Sequence, residues 1–152
     1  MTSPFPLPDP MRRALDLARL AQAAGEVPIG AVVTRNGVIV GEGQNRNRRD
    51  CDPTAHAEIV AMRAAAAHLC DFRLTGCDLW VTLEPCPMCA AAIAEARIAR
   101  LVYSAPDPKG GGVEHGPRIF AHSCHVPEII SGIAEAESAD LLRRFFQDRR
   151  QG

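Results

Sequence analysis

Apolar residues repeat along the chain at two distinct spacings, which predict an alternation of helices and strands. Residues 10–24 carry apolar side chains three or four positions apart, the period of an amphipathic helix that ends at Gly25. Two β-prone runs, 29–34 and 38–43, are joined by Arg35-Asn36-Gly37. Asn-Gly between such runs is a strong hairpin signal. The first third of the chain is therefore predicted to be a helix followed by a β-hairpin.

The same patterns predict three further helices and three further strands. The helices are predicted over 55–69, from the Pro85-Cys86 turn to Ala96, and over 136–150; the strands are predicted over 79–83, 101–104 and 128–131. A Gly- and Pro-rich stretch, 105–117, is predicted to be a long functional loop. This order of elements favours an α/β fold, in which a mixed five-stranded sheet carries helices on both faces.

Length and composition limit the possible classes of protein. The 152 residues predict a single domain, 1–152, and four prolines predict that residues 1–10 are flexible. With 17 Lys and Arg against 18 Asp and Glu, the net charge is −1, so any contact with nucleic acid must come from a local basic patch. No apolar run is long enough for a secretory signal or a membrane span, which predicts a cytoplasmic enzyme without membrane contact.

Two short stretches, His56-Ala57-Glu58 and Pro85-Cys86-Pro87-Met88-Cys89, carry the candidate chemistry. Imidazole and thiolate are preferred zinc ligands, and three protein ligands leave the fourth tetrahedral position open for a water. Cys86 and Cys89 are expected to share one face in the first turn of the third helix, and His56 is expected in the first turn of the second. His56, Cys86 and Cys89 are therefore predicted to bind one Zn²⁺ per chain.

Glu58 is predicted to transfer protons without ligating the metal, because it lies two residues beyond His56. Each stretch alone has a simpler interpretation. Cys86 and Cys89 could be a redox pair, His56 a hydrogen-bonded polar residue, and Glu58 a carboxylate that favours a helix start. The conjunction of H-x-E with P-C-x-x-C is typical of zinc-dependent base deaminases, which release ammonia from an aromatic ring. The other four cysteines are interpreted as small apolar residues.

Longer stretches resemble the bacterial tRNA-specific adenosine deaminases. They are EVPIGAV at 26–32, DPTAHAEI at 52–59, VTLEPCPMC at 81–89, DPKGG at 107–111, and the ending of the chain with Phe145 and Phe146. The similarity extends over residues 11–150. It implies the cytidine-deaminase-like three-layer α/β/α fold, a homodimer, and conversion of the wobble adenosine of an arginine tRNA anticodon to inosine.

By that resemblance, several residues are expected to contact RNA. Asn45 would contact the flipped nucleoside, and Asp107, with Lys109 in the same loop, would lie near the target nucleotide. Phe145 and Arg149 would belong to a C-terminal helix that contacts the anticodon loop. The sequence departs from the family over 112–127, where Ser-Cys-His-Val-Pro replaces an Asn-His followed by a basic residue and Val.

Two function classes remain open, with a third less favoured. The first is deamination of a tRNA anticodon stem-loop; the second is a zinc-dependent deaminase of a free nucleobase or nucleoside, of the guanine or cytosine type. A non-catalytic zinc scaffold would leave Glu58 without a role. A free base requires a small closed pocket, whereas a flipped nucleotide requires an open mouth with a basic rim. Arg46, Arg48 and Arg49 are either this rim or a solvated loop, and we favour the tRNA substrate.

Overall fold

The computed structural model describes residues 6–151, with backbone only for 150 and 151. Its elements are α1 (Asp9–Ala23), β1 (Gly30–Arg35), β2 (Val38–Gln44), α2 (Ala57–Leu69), β3 (Cys77–Leu83), α3 (Pro87–Ala96), β4 (Arg100–Ala105), a 3₁₀ helix (Ile119–His122), β5 (Glu128–Ser131) and α4 (Glu135–Gln151). Every predicted helix and strand is present, whereas the 3₁₀ helix was not predicted. Residues 1–5 of the stretch predicted to be flexible lie outside the described residues, and its last two residues belong to α1.

The five strands form one mixed sheet in the order β2-β1-β3-β4-β5. β1 is antiparallel to both β2 and β3, whereas β3, β4 and β5 are mutually parallel. The predicted hairpin is confirmed between β1 and β2. Asn36 and Gly37 both adopt positive φ, 52° and 78°, as a two-residue turn between twisted strands requires.

Helices cover both faces of the sheet. α1 packs on β1, β2 and β3, and α4 packs on β3 and β4 and touches α1. α2 lies on the opposite face with α3 beside it. Alternate residues of one strand serve the two cores: Val32 belongs to the α1 side and Val33 to the α2 side. The three-layer α/β/α prediction is confirmed.

Small residues let α2 lie unusually close to the hairpin. A Cβ atom at Gly43 would lie 2.4 Å from the carbonyl oxygen of Ala57, and one at Gly41 would lie 2.5 Å from that of Ala61. Both distances are far below van der Waals contact, so only glycine fits at these two positions of β2. The backbone of β2 therefore fixes the distance between the sheet and α2, the helix that follows His56 directly.

The four cysteines interpreted as small apolar residues differ in their burial. Cys77 is buried, but Cys51, Cys70 and Cys124 are exposed. Cys51 and Cys70 also adopt positive φ, 48° and 53°, at turns where the chain must reverse. In the described part of the chain, no helix combines the length and apolarity needed to cross a bilayer.

Candidate metal centre

Three loops meet at one edge of the sheet and bring the predicted ligands together. β2 runs in the same direction as β3 because both are antiparallel to β1, and β4 is parallel to β3. Their carboxyl ends therefore lie at a common edge, the usual place for a site in an open α/β sheet. From there the chain enters α2 after His56, α3 after Cys86, and a loop formed by residues 107–115.

The predicted ligand atoms converge in space. His56 Nδ1 lies 3.5 Å from Sγ of Cys86 and 3.5 Å from Sγ of Cys89, and all three atoms lie within 4.8 Å of one another. Tetrahedral zinc, with Zn–S of about 2.3 Å and Zn–N of about 2.0–2.1 Å, places neighbouring N and S ligands about 3.5–3.6 Å apart. The donor set therefore fits zinc in both chemistry and spacing.

His56 and Cys86 occupy N-cap positions, directly before the first helical turns in which they were predicted to lie. Their backbones are extended, with ψ of 155° and 170°, and helical geometry begins at Ala57 and Pro87. Proline is favoured at the first helical position because its missing N–H would be unpaired there in any case. The positive ends of two helix dipoles consequently face the cluster, which favours thiolate ligands.

The two thiols differ in acidity because one donates a hydrogen bond to the other. Donation from Cys89, opposed by burial and assisted by His56, lowers the pKa of Cys86 to about 4. The same bond to Cys86, together with burial, raises the pKa of Cys89. The hydrogen bond to Cys86 also raises the pKa of His56. The cluster thus already favours a thiolate at Cys86, the form in which cysteine binds metals.

Glu58 is a buried carboxyl group next to the cluster. Only 4% of the residue is exposed, and burial raises its pKa to about 7 against the opposing effects of its own N–H and of His56. Its position in the first turn of α2 places it beside the ligands but outside the group of converging ligand atoms. Its role in proton transfer stays a prediction.

Asn45 connects the end of the hairpin to the start of α2. It is 5% exposed, and its Oδ1 accepts the backbone N–H of Ala57 at 2.9 Å. The bond satisfies one of the N–H groups that a helix start leaves unpaired. Within the described residues no hydrogen-bond partner is found for the Asn45 Nδ2 group.

Asp107 and Lys109 lie on the 107–115 loop. Oδ1 of Asp107 accepts the backbone N–H groups of Lys109 at 3.2 Å and Gly110 at 2.9 Å, which folds the loop tightly around the carboxylate. Lys109 is exposed and forms no ion pair among the described residues. The loop lies against the start of α3, since a Cβ at Gly112 would approach N of Pro87 to 2.5 Å.

Phe145, predicted to contact RNA together with Arg149, is buried. Phe145 is only 7% exposed, and the guanidinium of Arg149 stacks over its ring at 4.5 Å. Arg149 also donates to the carbonyl of Gly25 at 2.7 Å. The exposed aromatic side chain of this helix is Phe146, at 48%.

The basic loop after β2 is partly neutralised. Arg46 forms a two-pronged ion pair with Asp50, at 2.9 and 3.0 Å. Arg48 and Arg49 are exposed and form no ion pair within the described residues. Their backbone N–H groups donate to the buried carboxylate of Glu26 at 3.1 and 3.0 Å. Arg48 and Arg49, two of the three arginines predicted to form a basic rim, are therefore exposed and have no ion-pair partner among the described residues.

Glu26 and Glu84 are two buried carboxylates for which sequence reasoning predicted no role. Glu84 follows β3 directly, and both of its oxygens accept hydrogen bonds from the 107–115 loop. Burial alone would raise the pKa of Glu84, but the bonds from Asp107, His115 and their neighbours outweigh it and lower the pKa. Glu26 and Glu84 both lie inside stretches that carry the family resemblance, and this was the one feature of the sequence that could have indicated their importance.

Comparison with known proteins places the fold and the cluster in one family. Residues 8–105 match the cytidine and deoxycytidylate deaminase zinc-binding region. A tRNA-specific adenosine deaminase of Agrobacterium fabrum is 54% identical over 142 residues, which cover 92% of this chain and 93% of that protein.

Two of the solved structures that match this chain differ widely in their identity to it. The first comes from studies of A-to-I editing by tRNA:A34 deaminases at the wobble position of transfer RNA. It has a TM-score of 0.86 and 52% identity, and the match covers 88% of this chain and 98% of that one. The second, a guanine deaminase of Bacillus subtilis, has a TM-score of 0.62 and 31% identity, and the match covers 94% and 92%.

Proposed function

The chain belongs to the cytidine and deoxycytidylate deaminase family, and we propose that it converts the wobble adenosine of a tRNA anticodon loop to inosine, with water consumed and ammonia released. The observation that carries the proposal is the buried carboxylate of Glu58 beside three converging metal ligands. The high identity to a tRNA-specific adenosine deaminase supports the choice of substrate.

His56, Cys86 and Cys89 would hold the metal, because their ligand atoms already have the separations that tetrahedral zinc requires. Zinc in a three-ligand site lowers the pKa of water to about 7 and so supplies a nucleophile near neutral pH. The N-termini of α2 and α3, which begin at Ala57 and Pro87, add positive potential that favours thiolate ligands. We propose one zinc ion per chain.

Glu58 would move the protons of the reaction. It would take one proton from the attacking water and deliver it to the ring nitrogen. It would then take the remaining proton of the oxygen now bonded to the ring carbon and deliver it to the amine, which leaves as ammonia. Because the carboxyl group is buried, the proton stays within the site between these two transfers. A positioned acid and base of this kind contributes about 10²–10⁴ in rate.

The loops at the same sheet edge would bind the nucleotide and its neighbours. Asn45 offers its free Nδ2 donors to the flipped nucleoside, and Asp107 with Lys109 flanks the opening from the 107–115 loop. Arg149 is an exposed cation in the C-terminal turn of α4. Because the ring of Phe145 is buried under it, Phe145 serves as the platform that holds Arg149 in place.

A free-base deaminase is the second candidate, favoured by the 31% identity to a guanine deaminase. The exposed, unpaired Arg48 and Arg49 favour RNA, since a backbone-binding rim requires free cations. By resemblance to the tRNA deaminases, we also propose a single domain spanning residues 1–152, a homodimer and a cytoplasmic location, where tRNA is found.

One comparison of substrates tests the function. Ammonia release is measured under identical conditions from an anticodon stem-loop with a wobble adenosine, from guanine, from cytosine and from adenosine. The stem-loop should react fastest and should yield inosine, whereas a Glu58→Gln variant should be nearly inactive on all four. Rapid turnover of a free base without reaction of the RNA would overturn the tRNA assignment.

A further inference from the structure

Glu84 is completely surrounded by donors from a single loop. Its side chain has no exposed surface. Oε2 accepts the backbone N–H groups of Val113 at 3.2 Å, Glu114 at 3.0 Å and His115 at 3.1 Å. Oε1 accepts the backbone N–H of Asp107 at 3.1 Å and bonds to Nδ1 of His115 at 2.7 Å. One carboxylate therefore ties both ends of the 107–115 loop to the residue that follows β3.

The middle of the same loop is packed against the metal-binding stretch. The backbone N–H of Gly112 donates to the carbonyl of Pro85 at 2.8 Å. A Cβ at Gly111 would approach Oε2 of Glu84 to 2.5 Å, and one at Gly112 would approach the carbonyl carbon of Cys86 to 2.9 Å. Loop and metal-binding stretch thus form one packed unit, although about twenty residues separate them in sequence.

We propose that Glu84 is a positioning residue. It holds the 107–115 loop, and with it Asp107 and Lys109, beside the metal ligands in the place where the substrate binds. The proposal rests on the proposed function only in naming RNA as that substrate. Glu84 does not touch the reacting atoms; it acts through the loop. Its specific effect is therefore on RNA binding and on the order of the loop, and zinc retention is unaffected by it.

The chemistry of the five donors explains why a carboxylate is required. An apolar side chain at position 84 would leave all five donors without this acceptor. A glutamine offers one acceptor oxygen, which can serve the three N–H groups of residues 113–115. Its NH₂ group would then face the N–H of Asp107, so that these two donors oppose each other. Glu84→Gln consequently releases the Asp107 end of the loop and keeps the other end.

The test compares Glu84→Gln with wild type by steady-state kinetics on the stem-loop, by zinc content and by NMR amide exchange. Loss of a bond to a charged acceptor is worth about 1.5–3 kcal/mol, so KM should rise at least about tenfold and the Asp107 amide should exchange at least about tenfold faster. We expect kcat to change less than about threefold, Val113 to exchange as in wild type, and zinc to stay at one per chain.

Glu114→Gln is the matched control, because it removes a negative charge from the same loop while its side chain contacts Tyr103 and not Glu84. It should leave both KM and Asp107 exchange near their wild-type values. His115→Ala removes a single contact to Glu84 and should shift both quantities in the same direction by less, which keeps the proposal testable if Glu84→Gln does not fold.

Unchanged KM and unchanged Asp107 exchange in Glu84→Gln would overturn the proposal. A fall in kcat together with loss of zinc would also overturn it, because Glu84 would then support the metal-binding stretch and not the loop. Failure of the proposed function is recognised separately, by wild-type protein that forms no inosine on the stem-loop. Amide exchange at Asp107 needs no substrate and decides the role of Glu84 even in that case.

Discussion

Replacement of Gly43 by alanine should disturb the metal centre, because the added methyl group on β2 would press against the start of α2. The new Cβ would lie 2.4 Å from the carbonyl oxygen of Ala57 and 2.5 Å from the backbone nitrogen of Ala61. Both are backbone atoms of α2, so neither can rotate away. Ala57 stands between His56 and Glu58, and any movement of its carbonyl moves the ligand and the proton-transfer group together.

The size of the effect follows from these distances. Ordinary contact begins at 3.4 Å, so the start of α2 must move by 3.4 − 2.4, about 1 Å, from the strand. Overpacking of this kind costs about 1–3 kcal/mol. For a domain of this length the melting temperature should fall by about 2–12 °C. A displacement of about 1 Å in a catalytic group costs about 10² in rate, so kcat/KM should fall by about that factor.

Gly41→Ala is the matched control for this prediction. Its Cβ would meet the carbonyl of Ala61 at 2.5 Å and the nitrogen of Ala65 at 2.7 Å, so it strains the same helix to a similar extent one turn further from the cluster. Thermal unfolding and stem-loop kinetics should therefore show similar losses of stability and a much smaller loss of activity for Gly41→Ala. Equal losses of activity in the two variants, or full activity in Gly43→Ala, would refute the reasoning.

Three further predictions concern the site directly. Glu58→Gln should keep its zinc and lose about 10²–10⁴ in kcat, and loss of the metal would contradict the assignment. Removal of zinc by a chelator should abolish activity. It should also lower the melting temperature, because the metal bound by His56 and Cys86 joins the starts of two helices. The same melting temperature with and without metal in calorimetry would contradict this prediction. Asp107→Asn should raise deamination of a DNA stem-loop relative to RNA, and an unchanged ratio of rates would argue otherwise.

The fold could be predicted largely because its signals are local. Asn36-Gly37 requires positive φ at both positions and therefore specifies the hairpin turn. The start of α3 was predicted less accurately, although Pro87 marked it, because proline at the first helical position leaves Cys86 as the N-cap. The 3₁₀ helix lies in the stretch that departs from the family, where no periodic pattern indicated it.

The metal ligands were predictable because zinc imposes chemistry and spacing together, whereas the supporting residues depend on tertiary contacts. Glu84 appears in the sequence as one acidic residue at the end of a strand, and its donors lie 23–31 positions away. Phe145 and Phe146 are adjacent on α4, and hydrophobicity cannot distinguish which of them is buried. Only the tertiary packing of α4 distinguishes them, with 7% exposure for Phe145 and 48% for Phe146.

The salt dependence of RNA binding provides the last prediction, because the structure separates free arginines from paired ones. Arg48 is exposed and unpaired within the described residues, at the sheet edge of the metal ligands. Arg73 is also exposed and forms no ion pair there, although its guanidinium lies over the ring of Phe72 at 5.4 Å. It follows the far end of α2, about 20 Å away along a 13-residue helix. Each phosphate contact to single-stranded RNA contributes about 0.7 to the slope of log affinity against log salt. Arg48→Ala should therefore lower that slope by about 0.7 in binding titrations with the stem-loop, and Arg73→Ala should leave it unchanged. Both substitutions remove one positive charge, and only the position of that charge differs. Equal slopes of log affinity against log salt for the two variants would therefore mean that the RNA binds to another surface.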